Sequence, residues 1–181
     1  MSVWSSQMLF RKAGTEDMAA IVRIFEETHT CEERGETSIG RVRGVYPTEK
    51  TAQDAIQRDD LFVLEEKGSI LGCAIINQLQ VDVYAGAPWR QEAKDEDVMV
   101  LHTLVIAPDK RGRGLGPAFV NFYEQYAREQ GCPFLRMDTN ARNIKVRTMY
   151  RKLGYEEIGV VPCRFNGIEG VQLVLLEKYL G

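Results

Sequence analysis

The sequence predicts an α/β (α+β) fold in which a mixed sheet is flanked by about four helices. Three observations predict it. Apolar runs and helical periodicities follow the order β-α-α-β-β-β-α-β-α-β-β. Residues 98–130 place a β-branched run, a glycine turn and an amphipathic helix end to end. Asn166-Gly167 separates the last two apolar runs, as the two residues of a tight hairpin do.

The elements follow in order. Residues 9–14 form a short first strand, with Thr15 as N-cap of a helix whose face is Met18, Ile21, Val22 and Phe25. After Thr28 the pattern gives way to a loop containing Glu32, Glu33, Arg34, Gly35 and Glu36. Pro47-Thr48 opens a more polar helix reaching about Arg58. Leu61–Glu65 and Ile70–Gln80 are two strands joined through Lys67-Gly68-Ser69. Residues 82–97, with Gly86 and Pro88, are the least regular stretch. Val98–Ile106 suits a buried fourth strand, ended by Pro108 and Asp109. A helix to about Gln130 carries Leu115, Phe119, Phe122 and Tyr126 at steps of four, three and four. Phe134–Thr139 is a fifth strand, Ile144–Leu153 a fourth helix, and the closing hairpin follows.

Bulk properties narrow the functional classes. The 181 residues suit one domain, 1–181, with 44% hydrophobic and 27% charged residues. A net charge of −3 argues against a general nucleic-acid or membrane surface. Cys31, Cys73, Cys132 and Cys163 are dispersed, without metal-like spacing, and are expected to be reduced thiols of a cytoplasmic protein that binds no metal. No apolar h-region or membrane-length stretch is present.

The turn Arg111-Gly112-Arg113-Gly114-Leu115-Gly116 is the strongest functional signal. Glycines let an anion approach the backbone, and the following helix start offers free N–H groups and a positive dipole end. These features point to a bound pyrophosphate. The sequence has no Gly-Lys pair and no third glycine at dinucleotide spacing, which excludes the two commonest phosphate fingerprints.

Arg111, Gly114 and Gly116 fill the pattern [Gln/Arg]-x-x-Gly-x-[Gly/Ala], and the turn resembles motif A of the GNAT N-acetyltransferases. Leu104-Val105-Ile106-Ala107-Pro108 looks like the end of that family's fourth strand. Asn143, Tyr150 seven residues on, and Leu153-Gly154-Tyr155 resemble its second signature. The resemblance is strongest over residues 98–160. It implies a mostly antiparallel sheet whose fourth and fifth strands splay, and a cleft there for acetyl-CoA. It also implies transfer to a primary amine, here assigned to a small molecule, and homodimerisation by family habit. Protein or peptide acetyltransferases share these motifs, and a non-catalytic acyl-CoA-binding module would keep the glycines.

The same resemblance places the site residues. Amides of Gly112, Arg113, Gly114, Leu115, Gly116 and Pro117 would hold the pyrophosphate, with charge from Arg111 and Arg113. Leu104, Val105 and Ile106 would expose main chain to the pantetheine arm, and Asn143 is either a helix N-cap or a further cofactor contact. Tyr150, with a phenol pKa of about 10, suits a proton donor to the departing thiolate, although its helix spacing also suits core packing. His102 shares a strand face with Val100 and Leu104 by alternation, and Leu101-His102-Thr103-Leu104 resembles the Leu-His-Ala-Leu strand of arylalkylamine acetyltransferases. His102 is therefore a candidate base or relay, with a core histidine as the alternative and a carboxylate or water left open as the base. His29 could line the acceptor pocket. Glu26, Glu27, Glu32, Glu33 and Glu36 would favour a cationic amine or form a solvated face, and Tyr84 and Trp89 would give residues 82–97 an aromatic rim for a lid or dimer contact.

Overall fold

A computed structural model describes residues 7–181. Seven strands form one sheet: β1 (Met8–Lys12), β2 (Leu61–Glu66), β3 (Ser69–Asn77), β4 (Val98–Ile106), β5 (Phe134–Asn140), β6 (Glu156–Phe165) and β7 (Ile168–Tyr179). Their order across the sheet is β1-β2-β3-β4-β5-β7-β6, and every neighbouring pair is antiparallel except β4 and β5. The helices are α1 (Met18–Glu33), α2 (Glu49–Gln57), α3 (Leu115–Glu129) and α4 (Ile144–Lys152). The expected class and element order are present.

The splay is visible in the register. β4 and β5 pair only from Val98↔Phe134 to Leu101↔Met137. Beyond that point β4 stays with β3 as far as Ile106↔Gly72, and β5 stays with β7 as far as Asn140↔Leu173. A wedge opens between the two strands.

A bulge re-aims β4 at the mouth of the wedge. Ile76 pairs with Leu101 and Ala74 with Leu104, so β4 uses three steps where β3 uses two. Met99 and Leu101, and beyond the bulge Leu104 and Ile106, pack on the α3 side. Val98 and Val100 pack with Tyr84 on the other side, and Val105 lies there under α1 and α2. Val100 and Leu104 therefore occupy opposite faces, which corrects the shared face expected for them and His102. Simple alternation fails because the extra residue shifts the period by one.

Other departures have local causes. Helix α1 runs to Glu33 rather than ending near Thr28, because Thr28 and Thr30 bond back to the Ile24 and Glu26 carbonyls and Thr28, His29 and Cys31 are buried. A short 3-10 turn, Thr15–Asp17, precedes α1, and Gly14 rather than Thr15 caps it. The Asp17 carboxylate accepts the Gly14 N–H at 2.8 Å and pairs with Arg11 at 2.7 Å. Strand β3 stops at Asn77, whose Oδ1 accepts the Leu79 N–H and turns the chain away. Asn166 and Gly167 both take positive φ, as the closing hairpin requires.

Core packing fixes α3 across the sheet. Phe10 of β1 stacks on Phe122 at 4.8 Å and meets Phe119 edge-on at 5.0 Å. Tyr123, fully buried, donates to the Met99 carbonyl at 2.6 Å and so holds the helix to β4. The start of α3 is thereby held beside the wedge.

Candidate active site

The glycine turn leaves β4 through a short turn, Pro108–Lys110, and enters α3 with Gly112 at φ 80° and Gly114 at φ 74°. Both angles lie where a Cβ is strained. Gly114 is the N-cap and supplies no side-chain acceptor, so the first-turn N–H groups stay open to an anion. Pro117 has no N–H, so the donor set ends at Gly116, one residue short of the expected span. Gly116 has a packing reason as well, since a Cβ there would lie 3.1 Å from Met149 Sδ.

A cavity of about 590 Å³ runs from this turn into the wedge. It brings together Leu104, Ile106, Arg111, Gly112, Gly116, Asn143, Tyr150 and His102. Arg142 and Lys145 add positive charge at the same wall, which the sequence did not single out although they flank Asn143. Val105 and Leu115 turn their side chains into the core. Arg113 instead pairs with Glu66 at 3.0 Å, away from the cavity lining, because the turn aims it toward the end of β2. Asn143 precedes α4 without a side-chain capping bond, which leaves its amide free to face the cavity.

Asp138 is the residue that sequence reasoning missed. It follows Met137, the last β5 residue paired to β4, and so sits where the wedge begins. Its open side faces the cavity, and Tyr84 donates a phenol hydrogen bond to Oδ2 at 2.6 Å. Burial pushes its carboxyl up to about 7, with the Tyr84 hydrogen bond acting in the opposite direction. Its only sequence signal was a carboxylate at the end of a strand.

His102 sits at the bulge. Its Nε2 lies 2.6 Å from Asn77 Oδ1, an acceptor, so Nε2 carries the proton and Nδ1 the lone pair. Asn77 is held in turn by Asp60 at 2.8 Å. Burial holds the imidazole down to about 4, and it is neutral at pH 7. The Tyr150 phenol, on α4, has no hydrogen-bond partner among the described residues, and Tyr150 borders the same cavity. Burial first, and the Asp138 charge second, push its phenol above the ordinary value, so it stays protonated.

A second, smaller cavity of about 100 Å³ continues from the first on the other side of the sheet. The two share Ile39, Arg41, His102, Asp138, Thr139 and Asn143. The smaller one is walled by Tyr46, bonded to Thr103, and by Phe165, Ile168 and Leu173 of the closing hairpin. The hairpin tip meets the 41–46 loop, where a Cβ on Gly167 would lie 3.2 Å from Val45.

Several expected site residues lie elsewhere. His29 is buried and bonds through Nε2 to the Pro47 carbonyl at 2.8 Å, pinning the loop after α1 rather than lining a cavity. Glu32 accepts from Thr37, Ile39 and Gly40, while Glu26 and Glu33 pair with Arg43, so these acids organise that loop. Of the five, Glu36 borders the larger cavity. Tyr84 and Trp89 form no exposed rim: Tyr84 is 2% exposed, Trp89 packs edge-on against it, and residues 82–97 cover the sheet beside β4, β5 and β7. Among the described residues no group of three His, Cys, Asp or Glu is placed to hold a metal ion, and no helix is long and apolar enough to cross a membrane.

Comparison with known proteins agrees with this geometry. An uncharacterized N-acetyltransferase of Methanocaldococcus jannaschii is 29% identical over 103 residues, 57% of this chain and 42% of that protein, so the chain spans less than half the length of that relative. An uncharacterized N-acetyltransferase of Bacillus subtilis is 25% identical over 150 residues, covering 83% of this chain and 91% of that one. In fold, the chain resembles a GNAT-family acetyltransferase from Streptococcus agalactiae with TM-score 0.79 and 23% identity, covering 97% of each. The acetyltransferase (GNAT) family model matches residues 18–155, which contain the glycine turn, the wedge and Tyr150, and the chain belongs to that family.

Proposed function

We propose that this protein is an N-acetyltransferase that moves the acetyl group of acetyl-CoA to a primary amine of a small molecule by direct attack. The observation that carries this is the cavity through the wedge, which sets the open glycine turn and Tyr150 on one side and Asp138 at the passage to the other. The residues fit the cosubstrate. Open N–H groups at Gly112 to Gly116 suit a pyrophosphate, Arg111, Arg142 and Lys145 suit further phosphate charge, and the β4 edge at Leu104 to Ile106, which β5 leaves uncovered, suits the amides of a pantetheine arm.

Each step is then assigned to this chain's own groups. Ionised Asp138 takes a proton from the ammonium, since a carboxyl near pH 7 is matched to that task. His102, a weaker base at about 4, accepts a hydrogen bond through Nδ1 and orients the amine. Main-chain N–H groups by the bulge polarise the thioester carbonyl. As the amine nitrogen bonds to the acetyl carbon and the carbon–sulfur bond breaks, Tyr150 gives its proton to the sulfur, and the second proton lost by the nitrogen restores the phenol. The pocket of about 100 Å³ supports a small acceptor. A CoA-release assay over small amines, amino acids and peptides with free N-termini tests this. Turnover of small amines supports the reading. Turnover of peptides alone moves the acceptor to polypeptides, and acetyl-CoA binding without any turnover reduces the chain to a binding module.

A further inference from the structure

Arg41 reaches from the loop after α1 into the wedge, and its Nη2 donates to the Leu104 carbonyl at 2.9 Å. That bond uses one of the guanidinium's five N–H donors. No carboxylate lies within salt-bridge distance of Arg41 among the described residues, although Arg43, two residues on, is matched by Glu26 and Glu33. Desolvation lowers the Arg41 pKa, as expected for an enclosed cation without a counter-ion. Asp138 is its mirror image. Among the described residues it has one neutral partner, Tyr84, and no cation within the same range.

The two groups do not pair with each other, yet both line both cavities. Unpaired opposite charges held apart around one small space are costly in the free protein. A ligand carrying both countercharges a short distance apart would satisfy them together.

We propose that the acceptor is a small zwitterion, an α-amino acid or an analogue of one, with its carboxylate on Arg41 and its amino group on Asp138. The inference rests on the acetyl transfer proposed above and names its substrate class. A guanidinium presents parallel donors that match a carboxylate, so Arg41 fixes orientation as well as charge. With the carboxylate on Arg41, the amino group one carbon away is directed toward Asp138 across the space that both residues line. Phe165, Ile168 and Leu173 offer the acceptor's side chain an apolar wall. The step balances: the ammonium loses one proton to Asp138, and the nitrogen bonds to the acetyl carbon as the carbon–sulfur bond breaks. The sulfur leaves with the Tyr150 proton, the nitrogen's second proton restores the phenol, and Asp138 returns its proton to solvent. N-acetyl amino acid and CoA are formed, with one net proton released.

The experiment compares the proteinogenic amino acids with their carboxamides and with the matching amines that lack the carboxyl group. CoA release is measured for the wild type and Arg41→Gln, and each compound is also titrated calorimetrically onto the protein with and without CoA. The expected result is a preference for free amino acids of about a hundredfold in kcat/KM, lost mainly through the amino-acid KM in Arg41→Gln, with the KM for acetyl-CoA unchanged. Equal use of carboxamides and amino acids by the wild type would overturn the zwitterion while leaving acetyl transfer intact. Amino-acid binding in the titration without any CoA release would support the zwitterion and count against the transfer. Absence of amino-acid binding in every titration, together with absence of preference in turnover, would overturn it. Arg41→Lys separates charge from fold: partial recovery of the preference is expected, and a variant as poor as Arg41→Gln with normal melting places the weight on the planar fork.

Discussion

The Tyr84 phenol donates to Asp138 Oδ2 at 2.6 Å, so a segment without strand or α-helix fixes a carboxyl at the meeting point of both cavities. Tyr84 is itself held. Trp89 packs on its ring and donates Nε1–H to its carbonyl at 2.9 Å, and Arg136 lies 4.3 Å over the Trp89 ring. Residues 82–97 thus act on the site from behind the sheet.

Tyr84→Phe tests that relationship through pH. The hydrogen bond favours the ionised carboxylate, so its loss raises the Asp138 pKa further above about 7. The acidic limb of kcat/KM, which requires ionised Asp138, is expected near pH 7 in the wild type and at higher pH in the variant. A limb near pH 4 that the substitution leaves in place would assign it to His102 instead. Tyr46, His102, Tyr150, Cys163 and Arg41 also surround Asp138, and all are retained in the variant.

Asp138→Asn should separate activity from stability. General-base loss lowers kcat by about 10²–10⁴ while acetyl-CoA affinity holds. The folded carboxyl titrates above its unfolded value, so the wild type loses stability as pH rises from about 4 through about 7. Asparagine carries no such penalty. Thermal melts should show the variant's advantage growing across that window and levelling off above it, and an equal difference at pH 4 and pH 8 would contradict the cause given.

Tyr150→Phe removes a proton donor whose ring stays packed near Tyr155, at 5.9 Å between centroids. Turnover should fall by roughly 10²-fold with binding of acetyl-CoA nearly unchanged, as isothermal titration would show. Unchanged kcat would return Tyr150 to a packing role.

Gly114→Val forces a β-branched residue to φ 74°, at a cost of about 1–3 kcal/mol if the turn is kept. Either that loss of stability in a denaturant melt or a distorted turn is expected, together with acetyl-CoA affinity weaker by about tenfold or more. Normal affinity and a normal melt would show that the glycine serves neither.

The strands and the turn were legible because their signals are local. Val98–Ile106 is one apolar β-branched run ended by proline, and the glycines mark positions that need positive φ or close approach. The wedge required the family resemblance, since hydrophobic pattern does not say where two paired strands part. The bulge at His102 was hidden because one inserted residue leaves composition unchanged while reversing the faces of Val100 and Leu104. Asp138 was hidden because its partner Tyr84 lies 54 residues away in the chain. Arg41 sits in a loop whose path is set by Glu32, and no periodicity marks it.

The most direct measurement is a titration of acetyl-CoA followed by backbone amide resonances. The N–H groups of Gly112, Arg113, Gly114, Leu115 and Gly116 should move downfield together as the pyrophosphate accepts from them, with Leu104 and Ile106 shifting alongside. Saturable binding that leaves those five amides in place would contradict the cradle and the orientation of the cosubstrate built on it.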